Sequence, residues 1–373
     1  MIPYLIPLII TLLAAIAFDG KSGKSAKAEL VWSFLFIYLV CLIGLRYEVG
    51  GDTINYMGDY DWRVPLSQWK YNPLDKFQPG YTLLCSICKS ISPEFYVFQL
   101  VHALIFNGLL FLWISRNTEY RFSALLSVFL LCYLYFSTEV LRESIAIAIF
   151  IFNYKNLERG KWLTYYIGVV FGCLFHISAV FLIVLPFLRN IKFNRYYFLL
   201  AALLIIGMRF LNPIMSIFSS IPAIQAKIEA YSEISSLGRL ADLLNITRLA
   251  LFPIAFGYTA KYICHYNIKF ENIISLLGLI GIASYFNPII FSRFTNYLML
   301  FFAVSVSDCA VSLLRSRSIA LRHNSTILIV CMCLLYGSSY LMYRKYTLWV
   351  PYYSIFNPQH VSRDYAEKML LNR

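Results

Sequence analysis

The chain has 373 residues, of which 60% are hydrophobic and only 14% are charged. A soluble protein carries about 25% charged residues, so this composition excludes an ordinary soluble enzyme and makes the lipid bilayer the expected surroundings. The net charge is +13. Because the basic residues are spread over many short loops without a continuous patch, nucleic acid is not expected as a partner.

Apolar runs recur along the whole chain, separated by short polar pieces. A bilayer core of about 30 Å needs about 20 apolar residues per helix. The runs predict an all-α, polytopic integral membrane protein with about twelve transmembrane helices, forming a single transmembrane domain over residues 1–373. The predicted spans are residues 2–18, 30–45, 95–115, 122–137, 140–154, 162–175, 177–188, 196–211, 243–263, 272–288, 294–314 and 324–343.

Basic residues predict which loops face the cytoplasm. Lys21, Lys24 and Lys27 follow the first run, and the later basic loops fall on the same side of the count. The polar segments 46–94 and 212–242 then face outward. In the first we see no helical period until residues 79–92, a piece too short to span, which we interpret as a re-entrant or interfacial helix. Residues 162–188 predict a tight hairpin with its tip near His176.

Charged residues cluster at the outer ends of several predicted helices, where each costs about 2.5–3.5 kcal/mol to insert. Arginine forks suit phosphate and carboxylate, so surplus arginine predicts an anionic, phosphate-bearing lipid as ligand. The alternative is that these residues pair with each other or reach the membrane interface. The cluster consists of Arg46, Asp52, Glu139, Arg142, Glu143, Arg239, Asp242, Arg248 and Arg293.

His176 forms an i, i+4, i+8 series with Gly168 and Gly172, which predicts one shared helix face. The glycines would allow a neighbouring helix to approach closely. His176 is then either a buried structural histidine bonded to a carbonyl, or a hydrogen-bond donor or proton acceptor that faces a cavity.

Three further patterns carry weaker signals. Asp59-Tyr60-Asp61 forms the D-x-D that holds a metal in some glycosyltransferases, but three-residue matches arise easily by chance, so we expect no metal site and no cofactor. Cys85 and Cys88 form a C-x-x-C without a second pair or a thioredoxin-like context. His102 lies on an apolar face, and we expect it to be packed rather than catalytic.

The polar motif at residues 46–56, directly after the second predicted span, resembles a known signature, and we call it the first motif. Residues Arg46, Val49, Gly50, Asp52 and Tyr56 resemble the Arg…Val-Gly-x-Asp-x-x-x-Tyr pattern of EpsG-like, Wzy-type bacterial polysaccharide polymerases. Gly51 departs from that pattern, which often has Thr there. Later matches, in the same order as in the family, are Pro79, Gly80, Tyr81, Arg142, His176 and Ser178, with weaker ones at Arg293, Tyr297, Pro351 and Tyr352.

The resemblance implies a GT-C-like helical bundle in the bacterial cytoplasmic (inner) membrane. It implies a glycosyltransferase that joins undecaprenyl-diphosphate-linked oligosaccharide repeat units into O-antigen of lipopolysaccharide, or a related surface polysaccharide, at the periplasmic face. The implied partners are those lipid-linked oligosaccharides and the lipid bilayer, and the resemblance is compatible with a chain-length regulator protein as a further partner.

The same resemblance, with the charge pattern, assigns roles to residues. Catalytic roles are expected for Asp52, His176, Arg142 and Glu143. Substrate-binding roles are expected for Arg46, Tyr56, Arg239, Arg248, Arg293 and Tyr297. Arginines would stabilise the leaving diphosphate without a metal. A transporter or flippase of lipid-linked oligosaccharides and a membrane acyltransferase remain the alternatives.

Overall fold

The computed structural model describes residues 2–20, 25–218, 239–337 and 349–358, and it describes side chains in these ranges outside 210–218, 239–242 and 288–290. Within them the chain is helical, with β-pairing limited to isolated bridges near residue 354. Contacts divide the chain into two compact units, Met1–Ile183 with Gly337–Arg373 and Val184–Tyr336. The single transmembrane domain over residues 1–373 stays a prediction.

The predicted spans fall on helices throughout the described part of the chain. Six helices there are long and apolar enough to cross a membrane, and five shorter ones are also apolar. The chain is therefore an all-α, polytopic membrane protein, as its composition predicted. Residues 338–343 of the last predicted span and most of the segment 212–242 lie outside the described residues.

The first unit is built from eight helices in the described residues, and they pack mainly as the pairs α2 with α5, α7 with α8, α5 with α7, and α1 with α6. Short 3-10 helices follow α3 at Leu66–Gln68 and α8 at Ile177–Val184. The helices are α1 (Ile2–Phe18), α2 (Ala26–Gly44), α3 (Thr53–Asp61), α4 (Pro79–Ile91), α5 (Phe95–Asn117), α6 (Arg121–Thr138), α7 (Leu141–Glu158) and α8 (Trp162–Cys173).

The second unit has α12 as its central helix, which packs against α13 and α11. Gly281 on α12 permits this approach, because a Cβ there would lie 2.0 Å from the carbonyl oxygen of Leu249 on α11. The helices are α9 (Leu185–Leu188), α10 (Tyr197–Phe218), α11 (residues 239–263, with two π turns), α12 (Glu271–Phe286), α13 (Pro288–Leu314) and α14 (Ile319–Met332).

Segment 46–94 is more helical than its sequence suggested. The expectation that no helix precedes residue 79 is wrong, because α3 occupies Thr53–Asp61. Its buried residues Thr53, Tyr56 and Tyr60 are spaced i, i+3 and i+7, a helical period hidden among aspartates. The helix predicted at 79–92 is confirmed as α4.

Residues 162–188 contain the predicted hairpin, whose arms are α8 and the 3-10 helix that follows it. The hydroxyl of Tyr165 donates to the carbonyl oxygen of Leu182 at 2.7 Å, so α8 and the following 3-10 helix run side by side. A Cβ on Gly172 would lie 3.3 Å from the Cβ of Ala179, which shows how close the two arms come near the tip.

The hairpin has His176 near its tip, as predicted, but the predicted helix face that joins His176 to Gly168 and Gly172 is wrong. Helix α8 ends at Cys173, and the amides of Phe175 and His176 both donate to the carbonyl oxygen of Gly172. His176 therefore lies on the turn, beyond the helix face that carries Gly168 and Gly172. The close approach predicted from the glycines is confirmed at Gly168, where a Cβ would lie 2.4 Å from the side chain of Asn153 on α7.

Candidate active site

The loop between α2 and α3 turns sharply at Gly50. This residue has φ of +113°, and a Cβ on it would lie 2.8 Å from Thr53 Oγ1 and 2.9 Å from the carbonyl oxygen of Thr138. Only glycine fits both the backbone angle and the space. The hydroxyl of Thr53 donates to the carbonyl oxygen of Val49 at 2.7 Å, so the turn leads directly into α3.

Arg46 lies beneath this loop and is fully buried. Its Nη1 donates to the carbonyl oxygen of Ile43 at 2.6 Å, and its Nε donates to that of Val49 at 2.9 Å. Burial lowers the pKa of Arg46 to about 10, and the nearby carboxylate of Glu139 opposes that shift. These contacts favour a role in shaping the loop, while the substrate-binding role of Arg46 stays a prediction.

Glu139 is a buried carboxylate that holds the same loop from the opposite side. Its Oε2 accepts from the backbone N–H groups of Gly51 (2.7 Å) and Asp52 (3.2 Å). Its Oε1 accepts from Thr138 Oγ1 and Trp349 Nε1, each at 3.0 Å. Sequence reasoning noticed the charge of Glu139 but gave it no role, because its partners are 87, 88 and 210 residues away.

The C-terminal segment 349–358 pairs with the residues around Arg46. The amide of Tyr47 donates to the carbonyl oxygen of Tyr353 at 2.9 Å, and the amide of Ile355 donates to that of Leu45 at 3.0 Å. The hydroxyl of Tyr352 donates to the carbonyl oxygen of Leu42 at 3.0 Å. The weak sequence match at Pro351 and Tyr352 therefore belongs to a segment that supports the first motif.

Arg142, in the first turn of α7, lies among aromatic rings. Its Cζ is 4.1 Å from the ring centre of Phe77 and 5.6 Å from that of Tyr81, and its Nη1 donates to Gln78 Oε1 at 3.0 Å. In the described residues, no carboxylate forms an ion pair with it, and its buried Nε has no hydrogen-bond partner. Arg142 is therefore a cation whose charge is available to an anion.

The start of α4 brings three other motifs together. The amide of Gly80 donates to the carbonyl oxygen of Leu174 at 2.7 Å, and a Cβ on Gly80 would collide with that oxygen. The rings of Tyr81 and Tyr56 lie 6.1 Å apart. The start of α4 therefore contacts the hairpin tip through Gly80, the first motif through Tyr81, and the start of α7 through the bond from Arg142 to Gln78.

His176 is held at the hairpin tip by Ser178. Its Nδ1 accepts from the backbone N–H of Ser178 at 3.2 Å and lies 2.6 Å from Ser178 Oγ. Since Nδ1 is an acceptor, a neutral His176 carries its proton on Nε2. This arrangement suits a hydrogen-bond donor better than a base that acts through Nε2.

The two predicted catalytic carboxylates differ in exposure. Asp52 is exposed at the N-terminal boundary of α3, whereas Glu143 is buried on α7. Tyr56 is one turn beyond Asp52 and is buried. Burial raises the pKa of Tyr56, Arg142 lowers it and Asp52 raises it further, so the Tyr56 hydroxyl lies within the electrostatic reach of both groups.

The D-x-D motif is engaged in an ion pair. Asp59 accepts from Arg63 through both carboxylate oxygens, at 2.6 and 3.1 Å, and Arg63 also pairs with Asp75. Throughout the described ranges, no group of three His, Cys, Asp or Glu residues is placed to hold a metal ion.

His102, by contrast, is packed as predicted. It is fully buried, and its Nε2 lies 2.9 Å from both the carbonyl oxygen of Leu141 and the Oγ of Ser144. Cys85 and Cys88 are buried free thiols on the packed face of α4.

Three predicted substrate residues have described side chains in the second unit. Arg248 is buried on a π turn of α11, where its Nε donates to the carbonyl oxygen of Leu335 at 2.7 Å. Arg293 is half-buried and Tyr297 fully buried on α13. The side chain of Arg239 lies outside the described residues. It stays a prediction that the arginines of the charged cluster share one diphosphate site; they are Arg46, Arg142, Arg239, Arg248 and Arg293.

The helices and motif contacts define a polytopic membrane protein with a cationic site in its first unit. Residues 29–354 match the EpsG family, so the chain belongs to that family, whose members are Wzy-type polymerases of polysaccharide in membranes. This match confirms the resemblance indicated by the sequence motifs. No curated protein and no solved structure is significantly similar to the chain.

Proposed function

We propose that this protein is the glycosyltransferase that joins undecaprenyl-diphosphate-linked oligosaccharide repeat units into O-antigen or a related surface polysaccharide. The observation that carries the proposal is the meeting of four motifs at the start of α4. There Gln78 bonds Arg142, Gly80 bonds the hairpin tip, and Tyr81 packs against Tyr56. Motifs far apart in the chain thus surround a cation without an acidic partner in the described part.

The reaction needs an anion site of this kind. A hydroxyl of the incoming repeat unit attacks the anomeric carbon of the growing chain, and the bond between that carbon and the diphosphate oxygen breaks. The lipid diphosphate leaves with the bonding electron pair, and the hydroxyl proton passes to a base. Arg142 stabilises the negative charge that develops on the leaving oxygens, as preorganised charge does in other active sites.

Exposure separates the candidate bases. Asp52 is exposed beside Tyr56, so we assign it the proton of the acceptor hydroxyl. Buried Glu143 is better placed to hold the first turn of α7, and His176 to donate a hydrogen bond from Nε2. Glu139 and Arg46 position Asp52 through the loop that they hold between them.

The remaining assignments concern the rest of the substrate. We assign Arg239, Arg248, Arg293 and Tyr297 to the lipid-linked substrate, and we propose that no metal takes part. Basic loops support an active face in the periplasm. Topology reporters fused after Lys161 and Arg317 are expected to report a cytoplasmic location, and a reporter fused after Ser236 is expected to report a periplasmic one. A cytoplasmic location after Ser236 would contradict the predicted topology and the periplasmic active face.

The decisive experiment replaces Arg142 and measures chain elongation. Purified protein in nanodiscs is given lipid-linked repeat units from the host strain, and products are resolved as a ladder. Loss of a charge-assisted hydrogen bond costs roughly 1.5–3 kcal/mol, so R142A is expected to slow elongation by about tenfold to a hundredfold. R142K is expected to recover part of the rate, because it keeps the charge but loses the planar fork.

Arg121 provides a matched control. It also lies over aromatic rings, with its Cζ 5.1 Å from the ring centre of Trp32, but it pairs with Glu29 at 2.9 Å. R121A is expected to elongate chains at the wild-type rate. Equal rates for wild type and a folded R142A would refute the proposal. Wild-type protein that moves lipid-linked units across the bilayer without joining them would instead identify a flippase, and transfer of an acyl group would identify an acyltransferase.

A further inference from the structure

A cavity of about 160 Å³ opens beside the start of α4, and we call it the aromatic cavity. It shares Phe77 with the surroundings of Arg142, since the Phe77 ring both lines the cavity and lies under the guanidinium. Its lining includes Trp62, Arg63, Trp69, Tyr71, Asp75 and Phe77.

The base of the aromatic cavity is polar and fixed by hydrogen bonds. Arg63 is anchored by Asp59 and Asp75, and Asp75 Oδ1 also accepts from the amide of Phe77 at 2.9 Å. The pKa of Asp75 is lowered, chiefly by its hydrogen bond with Arg63. Trp69 Nε1 donates to Thr82 Oγ1 at 3.3 Å, which fixes one wall. Hydrogen bonds within the protein therefore fix the base and one wall of the cavity.

The rim of the aromatic cavity carries exposed rings. Trp62 is 88% exposed and Tyr71 is 61% exposed. Exposed tryptophan is unfavourable in water, so rings at the mouth of a polar cavity indicate a ligand with both apolar and polar faces. A pyranose has this character, because its C–H faces stack on aromatic rings while its hydroxyls pair with groups such as Asn72, Lys70 and Asp75.

We propose that the aromatic cavity binds one sugar ring of the glycan whose diphosphate lies at Arg142. This inference rests on the proposed function, because it places the glycan of the same substrate next to the cationic site. The shared residue Phe77 sets the spacing, because it lines the cavity and also carries the Arg142 guanidinium over its ring.

An interfacial anchor is the competing explanation for exposed rings on this loop. Leu74 separates the two, because it is 93% exposed on the same loop but does not line the cavity. An anchor would depend on Leu74 as much as on Trp62. The hydrogen-bonded base formed by Arg63 and Asp75 favours the glycan, since a lipid chain would find no partners there.

The test uses the full-length protein in nanodiscs. The probe is an oligosaccharide of one to three repeat units, released from the host's surface polysaccharide by partial acid hydrolysis. Its Kd is measured by calorimetry for wild type, W62A, Y71A and the control L74A, and elongation of lipid-linked units is followed in the same preparations. Both rim residues are exposed, so their replacement leaves the fold intact.

We expect W62A and Y71A to weaken binding about tenfold, which corresponds to about 1.4 kcal/mol. We expect the KM for lipid-linked units to rise similarly with kcat within about twofold, and L74A to match wild type. Wild-type affinity in both rim variants would overturn the inference while leaving elongation, and hence the proposed function, intact. Equal losses in L74A and W62A would identify an anchor. Glycan binding without elongation by wild type would support the cavity and refute the proposed function.

Discussion

Removing the carboxylate of Glu139 gives a direct test of how the first motif is held. E139A takes away the acceptor of two backbone N–H groups, those of Gly51 and Asp52. Trp349 keeps its bond to Thr138 Oγ1 at 2.9 Å. A bond to a charged group contributes about 1.5–3 kcal/mol, and water reaches the exposed loop after the change. We therefore expect a loss of about 2–4 kcal/mol of stability, of the size seen when buried charge networks are broken.

E139Q separates the effects of charge and shape. One amide oxygen can still accept from Gly51 and Asp52, but the NH₂ group then faces Trp349 Nε1, which is also a donor. We expect this variant to lose only about 1 kcal/mol.

Thermal unfolding in detergent, with elongation measured in parallel, provides the assay. A loss of 2–4 kcal/mol lowers the Tm by roughly 3–5 °C in a chain of this size. Because Asp52 is displaced when the loop is released, E139A is expected to slow elongation by about a hundredfold, the lower range for a positioned proton acceptor. The exposed Glu94 provides a control, and E94Q is expected to match wild type. An E139A variant with wild-type Tm and ladder would refute this account of the loop.

Three further outcomes follow from the described contacts. G80A places a methyl group 2.7 Å from the carbonyl oxygen of Leu174 and is expected to cost about 1–3 kcal/mol and to shorten the ladder, whereas G108A, with nothing within 4 Å, is expected to leave both unchanged. The arginine partner of Asp75 depresses its pKa, so this carboxylate stabilises the fold above its unfolded pKa and the contribution is lost as the pH falls through the folded value; the Tm difference between wild type and D75N is expected to be constant near neutral pH and to vanish in acid, and a difference that persists in acid would contradict the ion pair. Elongation in EDTA is expected to equal that in magnesium, and D61A, which removes the exposed carboxylate of the D-x-D, is expected to retain activity; an absolute requirement for a divalent ion would contradict the proposed metal-free mechanism.

The helices were predictable because lipid imposes one rule on the whole chain. An apolar run such as 95–115 must satisfy every backbone hydrogen bond within its own helix, so hydropathy alone is enough to predict that it is helical. Helix α3 escaped prediction because its buried face is only Thr53, Tyr56 and Tyr60, interrupted by polar residues. His176 was correctly predicted near the hairpin tip, but it was wrongly assigned to the helix face of Gly168 and Gly172, because hydropathy does not show where an apolar helix ends and a 3-10 helix begins.

The candidate site was predictable in its members but not in its connections. Composition and motif order pointed to Arg142 and Asp52, since unpaired charges are conspicuous in an apolar chain. The roles of Glu139 and Gly80 depend on contacts with residues far away in the sequence, Gly51 and Leu174, which no local pattern encodes. The aromatic cavity likewise depends on how the loop between α3 and α4 folds around Arg63, which Asp59 and Asp75 hold in place.

The pairing between segment 349–358 and the first two helices has a consequence for biosynthesis. Tyr4 donates to the carbonyl oxygen of Trp349, 345 residues later, and Trp349 in turn completes the surroundings of Glu139. A nascent chain lacks these contacts until residue 349 has been synthesised, although the loop that they support is made about 300 residues earlier. A stop codon just before residue 349 is therefore expected to abolish elongation as completely as one much earlier in the chain.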